Sequence, residues 1–274
     1  MTEFELNNKT AAFLSTYELF EDDEIQQVQL QHRLDIVEAF GIDKGMSVLE
    51  IGCGQGDTTV ALADAVGNEG KVTGIDIASR DYGAPFKLGE ATDRIKKSAL
   101  GGRIDFHFET DLETFETIEV FDVAVLSHSS WYFKRPEDLL CYLKKLRRMA
   151  KCICVAEWDI EYTYMTQRAH FLAASILALH SNFINSDGNI QNLFHKAHIQ
   201  ELLEEAGFQI FKQDVIDATY LQDGQWEKNY ANSIRQEFDS VPEMIQTLVA
   251  SYYELMNAPM ENWQSLNSFI LCGE

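Results

Sequence analysis

Two kinds of apolar spacing alternate along the chain as far as residue 158. Between residues 24 and 40 the apolar side chains recur mostly at helical intervals, and Gly41 ends that pattern. The next apolar run, MSVLEIG, is short and continuous, as in a buried strand. Further helices are predicted in TTVALADAV, PFKLGEATDRIKKSAL and PEDLLCYLKKLRRMA, and further strands in KVTGIDI, RIDFHFET, FDVAVLS and CICVAEW. This β-α alternation predicts an α/β fold: a mostly parallel sheet with helices on both faces.

The pattern changes after residue 158. Two long and largely helical segments, 161–198 and 222–262, lie on either side of a strand in FQIFKQDVI, and a last strand follows in LNSFILCG. A compact sheet does not require connections of this length. We therefore expect one domain over residues 1–274, in which the two segments are helical insertions after strands five and six and form a lid.

Composition and charge narrow the classes of function. The chain has 274 residues, 46% hydrophobic and 24% charged, which is typical of a globular domain. Its 44 acidic residues outnumber 22 Lys and Arg, and the net charge of −22 disfavours nucleic acid and anionic membranes as partners. MTEFELNN has no basic leader pattern, and no apolar run reaches the ~18–20 residues that span a bilayer. These features predict a cytoplasmic protein.

The five cysteines form no CxxC pair, so buried reduced thiols are expected rather than a metal site or disulfides. A catalytic metal is also not expected, because the fourth strand ends without a carboxylate. The apolar insertions make a homodimer plausible.

The candidate chemistry begins in VLEIGCGQGDTT, where Gly52, Gly54 and Gly56 follow the first strand of the sheet. Ligands of parallel sheets bind beyond the carboxyl ends of strands, and glycine lets a ligand approach the backbone. In the dinucleotide fingerprint the third glycine comes one residue later than here. Carboxylates at Glu50 and Asp57 would also repel a pyrophosphate. The spacing and charge therefore favour a positively charged ligand over a nicotinamide dinucleotide.

This arrangement resembles the class I S-adenosylmethionine-dependent methyltransferases, whose first motif is an acidic residue followed by G-x-G-x-G. VLEIGCGQG fits that motif without a gap. The family's second mark is an acidic residue at the end of strand two, here Asp76 in GIDIA. The resemblance implies that Asp76 holds the ribose hydroxyls and that Ile77 lies against the adenine. The third mark corresponds to Asp111 in FETDLETF, beside Leu112, and would contact the adenine amino group.

The resemblance implies a Rossmann-like sheet of seven strands with the last strand antiparallel, and S-adenosylmethionine as the cofactor. The residues expected to bind it are Glu50, Gly52, Cys53, Gly54, Gly56, Asp76, Ile77, Asp111, Leu112 and Ser127.

The fourth predicted strand ends in LSHSSWYF, where this family places residues that face the methyl acceptor. Ser127 would lie near the methionine moiety. His128 is the candidate general base, because an unperturbed imidazole titrates at about pH 6.5. The alternative is that His128 forms local hydrogen bonds and orients the cofactor or a loop.

Aromatic residues cluster after strand four, after strand five and in the second insertion. As a set they suggest a capped pocket for a small-molecule acceptor that is methylated on oxygen or nitrogen. Each of them could instead pack an added helix onto the sheet. The candidate substrate residues are Trp131, Tyr132, Trp158, Tyr162, Tyr164 and Trp226.

Other functions remain open from the sequence. One is a non-catalytic regulator that binds S-adenosylmethionine. Another is a cyclopropane-synthase-like enzyme, which uses the same cofactor on a lipid chain and would need access to lipid. A nicotinamide-dependent oxidoreductase is disfavoured by the glycine spacing and by Glu50.

Overall fold

A seven-stranded sheet forms the middle layer of the protein. The computed structural model describes residues 5–20, 22–83, 86–184, 188 and 190–274. In chain order the strands are β1 (Ser47–Ile51), β2 (Lys71–Ile75), β3 (Ile104–His107), β4 (Phe121–Ser127), β5 (Ala150–Trp158), β6 (Ile210–Ile216) and β7 (Ser268–Gly273). Their spatial order is β3-β2-β1-β4-β5-β7-β6. The first five strands are parallel, and β7 runs antiparallel to both β5 and β6. The predicted Rossmann-like sheet is confirmed.

Nine α-helices lie within the described residues. They are α1 (Asn8–Tyr17), α2 (Glu24–Phe40), α3 (Asp57–Val66), α4 (Leu88–Lys97), α5 (Pro136–Met149), α6 (Arg168–Phe183), α7 (Lys196–Glu205), α8 (Asp223–Ser233) and α9 (Glu243–Met256). Gly41, in the left-handed conformation, ends α2 at the residue where the sequence pattern stops. The predicted start of the fourth helix at Pro85 lies outside the described residues. None of the described helices is long and apolar enough to cross a membrane.

The sheet separates two hydrophobic cores. Alternate side chains of β1 point to opposite faces, so Leu49 and Ile51 join one core and Val48 joins the other. Helices α1 to α4 cover the Val48 face, and α5 to α9 cover the opposite face. Because both faces are covered, the central strands are apolar on both sides, which explains their continuous apolar runs.

Chain connections diverge at β1, and this divergence creates the site. The chain leaves β1 towards β2 on one side and later returns to β4 on the other side of β1. The segments that follow these strands therefore separate, and a crevice opens beyond their carboxyl ends. The glycine-rich segment stands at this crevice.

The two insertions pack on each other. Helix α6, which follows β5, contacts both α8 and α9, which follow β6. The three helices are on the same face of the sheet as α5 and α7. The function of this layer as a lid stays a prediction.

The position of the core gives a first prediction. Ile153 in β5 is fully buried, whereas Ile118 lies in a loop with its side chain fully exposed. We expect Ile153→Ala to lower the free energy of unfolding by about 2–5 kcal/mol, because it leaves a cavity between packed layers. Ile118→Ala, the matched control, is expected to change it by less than about 0.5 kcal/mol. Urea unfolding followed by circular dichroism measures both, and equal losses would contradict this assignment of the core.

Candidate active site

The glycine-rich segment after β1 exposes its backbone to the crevice. Gly52, Gly54 and Gly56 all have positive φ, at 75°, 52° and 92°. A Cβ on Gly52 would come within 2.9 Å of the Ser129 Cβ, so only glycine fits there. A Cβ on Gly54 would meet nothing within 4 Å. Gly54 thus borders open space that a ligand can occupy against the bare backbone.

Asp76 joins the end of β2 to this segment. Its Oδ2 accepts a hydrogen bond from the Gly54 N–H at 2.8 Å, and its Oδ1 accepts one from the Ala78 N–H at 2.8 Å. Each oxygen keeps a further lone pair, because an ionised carboxylate accepts about four hydrogen bonds. Ile77, the next residue, is a large apolar side chain with 67% of its surface exposed. The first two predicted motifs therefore meet at one edge of the sheet.

The segment with the third predicted motif lies beside Asp76. The Thr110 N–H donates to the Asp76 carbonyl at 2.9 Å, which places Asp111 next to this edge. Asp111 Oδ1 accepts hydrogen bonds from the Glu113 N–H at 2.7 Å and from the Tyr142 hydroxyl at 2.6 Å. Leu112 is buried in the core, so its side chain packs there and not in the crevice.

Glu50 is a buried carboxyl beneath the glycine-rich segment. It is 2% exposed, and its Oε2 accepts a hydrogen bond from the Thr59 hydroxyl at 2.5 Å. Burial raises the pKa of Glu50 to about 8, although the Thr59 hydrogen bond and the charge of Arg33 act in the opposite direction. Cys53, which lies between Gly52 and Gly54, is also buried, and its side chain packs against Gly74.

His128 follows β4 in a left-handed conformation, with φ at 51°. Arg33 Nη1 lies 2.6 Å from His128 Nδ1, and Ser268 Oγ lies 2.9 Å from Nε2. Because a guanidinium can only donate, Nδ1 accepts and Nε2 carries the proton. Burial holds the pKa of His128 well below its usual value, and the positive charge of Arg33 lowers it further. In this conformation the lone pair that a general base would use is already occupied.

Ser127, the last residue of β4, also faces this edge. Its hydroxyl lies 3.2 Å from that of Thr58 in the first turn of α3. The structure thus brings Ser127 together with the segment that follows β1.

A second buried carboxyl, Glu157, holds the turn after β4 in place. Its Oε2 accepts hydrogen bonds from the Ser130 hydroxyl at 2.7 Å and from the Ser130 and Trp131 N–H groups, and its Oε1 accepts one from the Trp158 N–H. Burial raises the pKa of Glu157 to about 7. Among the described residues no cluster of His, Cys, Asp or Glu has the geometry of a metal site.

The six predicted substrate aromatics do not share one pocket. Trp131 and Trp158 are buried in the core, and the ring of Trp158 packs against that of His128 at 4.8 Å. Tyr162 is half-buried and packs against the same core. Tyr164 borders a separate groove. The remaining two, Tyr132 and Trp226, keep about half of their surface exposed.

A cavity of about 470 Å³ lies between α6 and α8. Trp226 is one of its walls. The other residues that line it include Tyr82, Leu177, Asp223, Glu227 and Tyr230. Two carboxylates and three aromatic rings therefore face one space.

Sequence reasoning missed four residues of this region: Arg33, Tyr82, Asp223 and Glu227. A polar interruption, QHR, in the apolar face of α2 was the available signal for Arg33. For α8 the signal was the spacing of Asp223, Trp226, Glu227 and Tyr230, which places them on one helix face. Tyr82 had no such signal, because it lies in a loop.

Known proteins share this architecture. The crystal structure of a cyclopropane-fatty-acyl-phospholipid synthase-like protein from Lactobacillus casei ATCC 334 superposes with a TM-score of 0.87 and 32% identity, covering 97% of this chain and 98% of that one. Methyltransferase phomM of Diaporthe leptostromiformis is 31% identical over 177 residues, which are 54% of this chain and 45% of that protein. Demethylmenaquinone methyltransferase of Geobacillus stearothermophilus is 45% identical over 122 residues, which are 44% of this chain and 48% of that protein. The chain spans about half the length of these curated relatives.

The family match covers the sheet edge described above. Residues 42–207 match the family described as "Methyltransferase domain". That range contains the glycine-rich segment, Asp76, Asp111 and the end of β4. The chain therefore belongs to the methyltransferase-domain family, and within it to the class I S-adenosylmethionine-dependent type.

Proposed function

We propose that this protein transfers the methyl group of S-adenosylmethionine to an oxygen or nitrogen atom of a small molecule. One observation carries the proposal: the Asp76 carboxylate is bonded to the Gly54 N–H at 2.8 Å, at the edge where β1 and β2 end. This bond unites an acidic hydrogen-bond acceptor for a sugar with a bare backbone segment. An exposed apolar side chain, Ile77, lies directly beside them.

The residues present fit this cofactor. Open space borders Gly54, Ile77 offers an apolar surface for a base, and the Asp76 oxygens offer lone pairs to hydroxyl groups. Arg33 supplies a further indication, because its buried Nε has no hydrogen-bond partner among the described residues. We assign the ribose to Asp76, the adenine to Ile77 and Asp111, and the carboxylate of the methionine moiety to Arg33.

When bound, S-adenosylmethionine supplies a methyl group activated by its sulfonium charge. The role of this chain is to hold the reactants in line and to match their charge, since positioning supplies much of the rate in such transfers. Glu50 lies beneath the glycine-rich segment and supplies negative charge there when it is ionised. His128 fixes the Arg33 guanidinium through its Nδ1, so we assign His128 as a positioning residue.

The acceptor site is assigned to the cavity between α6 and α8. It combines a volume suited to a small molecule with exposed aromatic rings. Tyr132 is a candidate contact to the acceptor, because the charges of both Asp76 and Glu227 act on its hydroxyl.

A second candidate function is cyclopropanation of an unsaturated acyl chain. The similarity over nearly the whole chain to the synthase-like protein of Lactobacillus casei favours it. Two carboxylates in the cavity argue against it, because an acyl chain would leave their charge desolvated and unpaired.

A cofactor labelled with three deuterons on its methyl group separates these functions. We expect product from a pool of small metabolites to retain all three deuterons, as methylation requires, whereas cyclopropanation retains only two. Mass spectrometry of the products measures this.

Asp76→Ala is expected to weaken cofactor binding by about ten- to hundred-fold, because a charged hydrogen-bond acceptor is lost.

Asp105→Ala on the neighbouring strand β3 is the matched control and should leave binding unchanged, since its side chain is exposed and pairs with Lys71, at the start of β2. Equal cofactor binding by Asp76→Ala and Asp105→Ala would contradict the assigned cofactor site.

In the labelling experiment, cofactor binding without any labelled product would indicate a regulator.

The raised pKa of Glu50 predicts proton release on cofactor binding. At pH 7 a carboxyl with a pKa of about 8 is mostly protonated, and a bound sulfonium favours its ionised form. We therefore expect binding to release a fraction of a proton that approaches one, and affinity to rise with pH up to about 8. Titration calorimetry in buffers of different ionisation enthalpy measures the release.

Two controls isolate Glu50 in this experiment. Glu50→Gln should abolish its part of the proton release, and S-adenosylhomocysteine, which lacks the sulfonium charge, should release less in the wild type. Equal release by wild type and Glu50→Gln would show that the proton comes from another group.

The hydrogen bond between Arg33 and His128 predicts that substitutions at these two residues lower cofactor affinity in a non-additive way. We expect His128→Ala to raise the cofactor Kd by about ten-fold, because Arg33 loses its fixed orientation. Arg33→Met should cost at least as much, and the double variant little more than Arg33→Met alone. His195→Ala, at the start of α7, is the control variant. A fall in kcat at unchanged cofactor Kd, with loss of one limb of the pH–rate profile, would assign His128 as a general base instead.

A further inference from the structure

Helix α8 presents one chemically distinctive face to the cavity between α6 and α8. Asp223, Trp226, Glu227 and Tyr230 are spaced by three, one and three residues, so they line one side of the helix. All four border the cavity of about 470 Å³. The face thus alternates carboxylates with large aromatic rings.

The two carboxylates of this face differ in their partners. Asp223 Oδ2 accepts a hydrogen bond from the Gln29 side-chain amide at 2.6 Å. Glu227 Oε2 lies 3.0 Å from Nε2 of His170, which is fully buried, but among the described residues neither atom has a hydrogen-bond partner. His170 Nδ1 is already used, because it accepts a hydrogen bond from the Leu266 N–H at 2.8 Å. Glu227 thus keeps a buried oxygen that a ligand can satisfy.

The part of the chain that the structure describes places no Lys or Arg beside these groups. None of its Lys or Arg side chains lines the cavity or forms an ion pair with Asp223 or Glu227. Carboxylates that share a partly desolvated space are costly to keep without a positive partner. A cationic ligand would lower that cost.

The aromatic rings of the cavity are unusually accessible. Trp226, Tyr230 and Tyr82 are 44%, 48% and 52% exposed, although they surround a concave space. Aromatic faces attract organic cations, and Trp does so most strongly. Rings beside carboxylates favour a ligand that has both a positive charge and an apolar part.

A chain of ring contacts connects the cavity to the end of β4, beside the site assigned to the cofactor. His170, which contacts Glu227, packs edge-on against Trp158 at 5.0 Å, and Trp158 packs against His128 at 4.8 Å. The charges of Asp76 and Glu227 also both act on the hydroxyl of Tyr132, whose pKa is raised first by desolvation. These contacts extend from the cavity to His128, directly after β4.

We infer that the methyl acceptor is a primary or secondary amine with an apolar or aromatic group, which binds as its ammonium ion. Its charged nitrogen binds between Asp223 and Glu227, and its apolar part lies against Trp226 and Tyr230. Before transfer the nitrogen gives one proton to the Glu227 carboxylate. The freed lone pair then forms the new N–C bond as the S–C bond of the sulfonium breaks, which leaves S-adenosylhomocysteine and the N-methylated amine. This assignment rests on the proposed function, because it identifies the substrate class of the same site. The net charge of −22 favours the approach of such a cation and disfavours anionic acceptors.

Three probes of similar shape and different charge test the assignment without any turnover. They are benzylammonium, benzyl alcohol and benzoate, titrated separately into the full chain by calorimetry. We expect benzylammonium to bind at least about ten-fold more tightly than benzyl alcohol, and benzoate not to bind. Glu227→Gln should weaken benzylammonium by about ten-fold and leave benzyl alcohol unchanged, because only the charge is removed.

The matched control is Glu201→Gln, which removes an exposed carboxylate from α7, outside the cavity. It should change neither affinity, which distinguishes a local site from attraction by the net charge. Trp226→Ala should weaken both benzylammonium and benzyl alcohol. The assignment is overturned if the alcohol binds as tightly as the ammonium ion, or if Glu227→Gln and Glu201→Gln weaken the ammonium ion equally.

S-adenosylmethionine is titrated into the same samples, so that the two proposals fail separately. Cofactor binding without preference for the ammonium probe would overturn the acceptor class and leave the methyltransferase proposal standing. Binding of the ammonium probe without cofactor binding would overturn the methyltransferase proposal and show the cavity to be an amine site of another kind.

Discussion

The hydrogen bond from the Gly54 N–H to the Asp76 carboxylate is the interaction on which the rest of the site depends. It joins segments that follow two different strands, and it directs a carboxylate and a bare backbone towards the same space. The sheet makes this possible, since the chain leaves β1 in one direction and returns beside it at β4. Such a crevice exists wherever parallel strands diverge, and we propose that these side chains make it selective for a sugar and a positive charge.

Buried carboxyls surround this crevice, and they link its function to its stability. Glu50 and Glu157 have pKa values raised to about 8 and about 7, because burial penalises their charged forms. A carboxyl group whose pKa is raised by folding binds more protons in the folded protein than in the unfolded protein. The free energy of unfolding therefore falls as pH rises from the ordinary glutamate value through these pKa values. Glu157 offsets part of this cost with hydrogen bonds to the turn after β4, and Glu50 is placed where a cationic ligand would offset it.

The added helices form the cavity that we propose for the methyl acceptor. Helix α8 brings Asp223 and Glu227 to a cavity whose other wall is α6, and Nε2 of His170 from α6 lies 3.0 Å from Glu227 Oε2. The same His170 packs on Trp158 at the end of β5. Through these contacts an insertion far along the chain reaches the edge where β4 ends. This separation of tasks is consistent with one sheet that serves many acceptors through different insertions.

The sequence by itself determined the sheet and its direction, because both depend on local information, and the resemblance of its motifs to the methyltransferase family indicated the edge that we propose for the cofactor. Apolar spacing distinguishes helix from strand, and three glycines after a buried strand require a backbone that other residues do not adopt. Ile77 and Asp76 are likewise identified by standing at a strand end. The tertiary structure alone decided how the polar groups are paired. Arg33 is separated from His128 by 95 residues, and Gln29 from Asp223 by 194, so no spacing in the sequence reveals these contacts. The tertiary structure also decided the roles of the aromatic residues. Trp158 fills the core and Trp226 lines a cavity because different surfaces pack against them, and these surfaces cannot be read from the sequence.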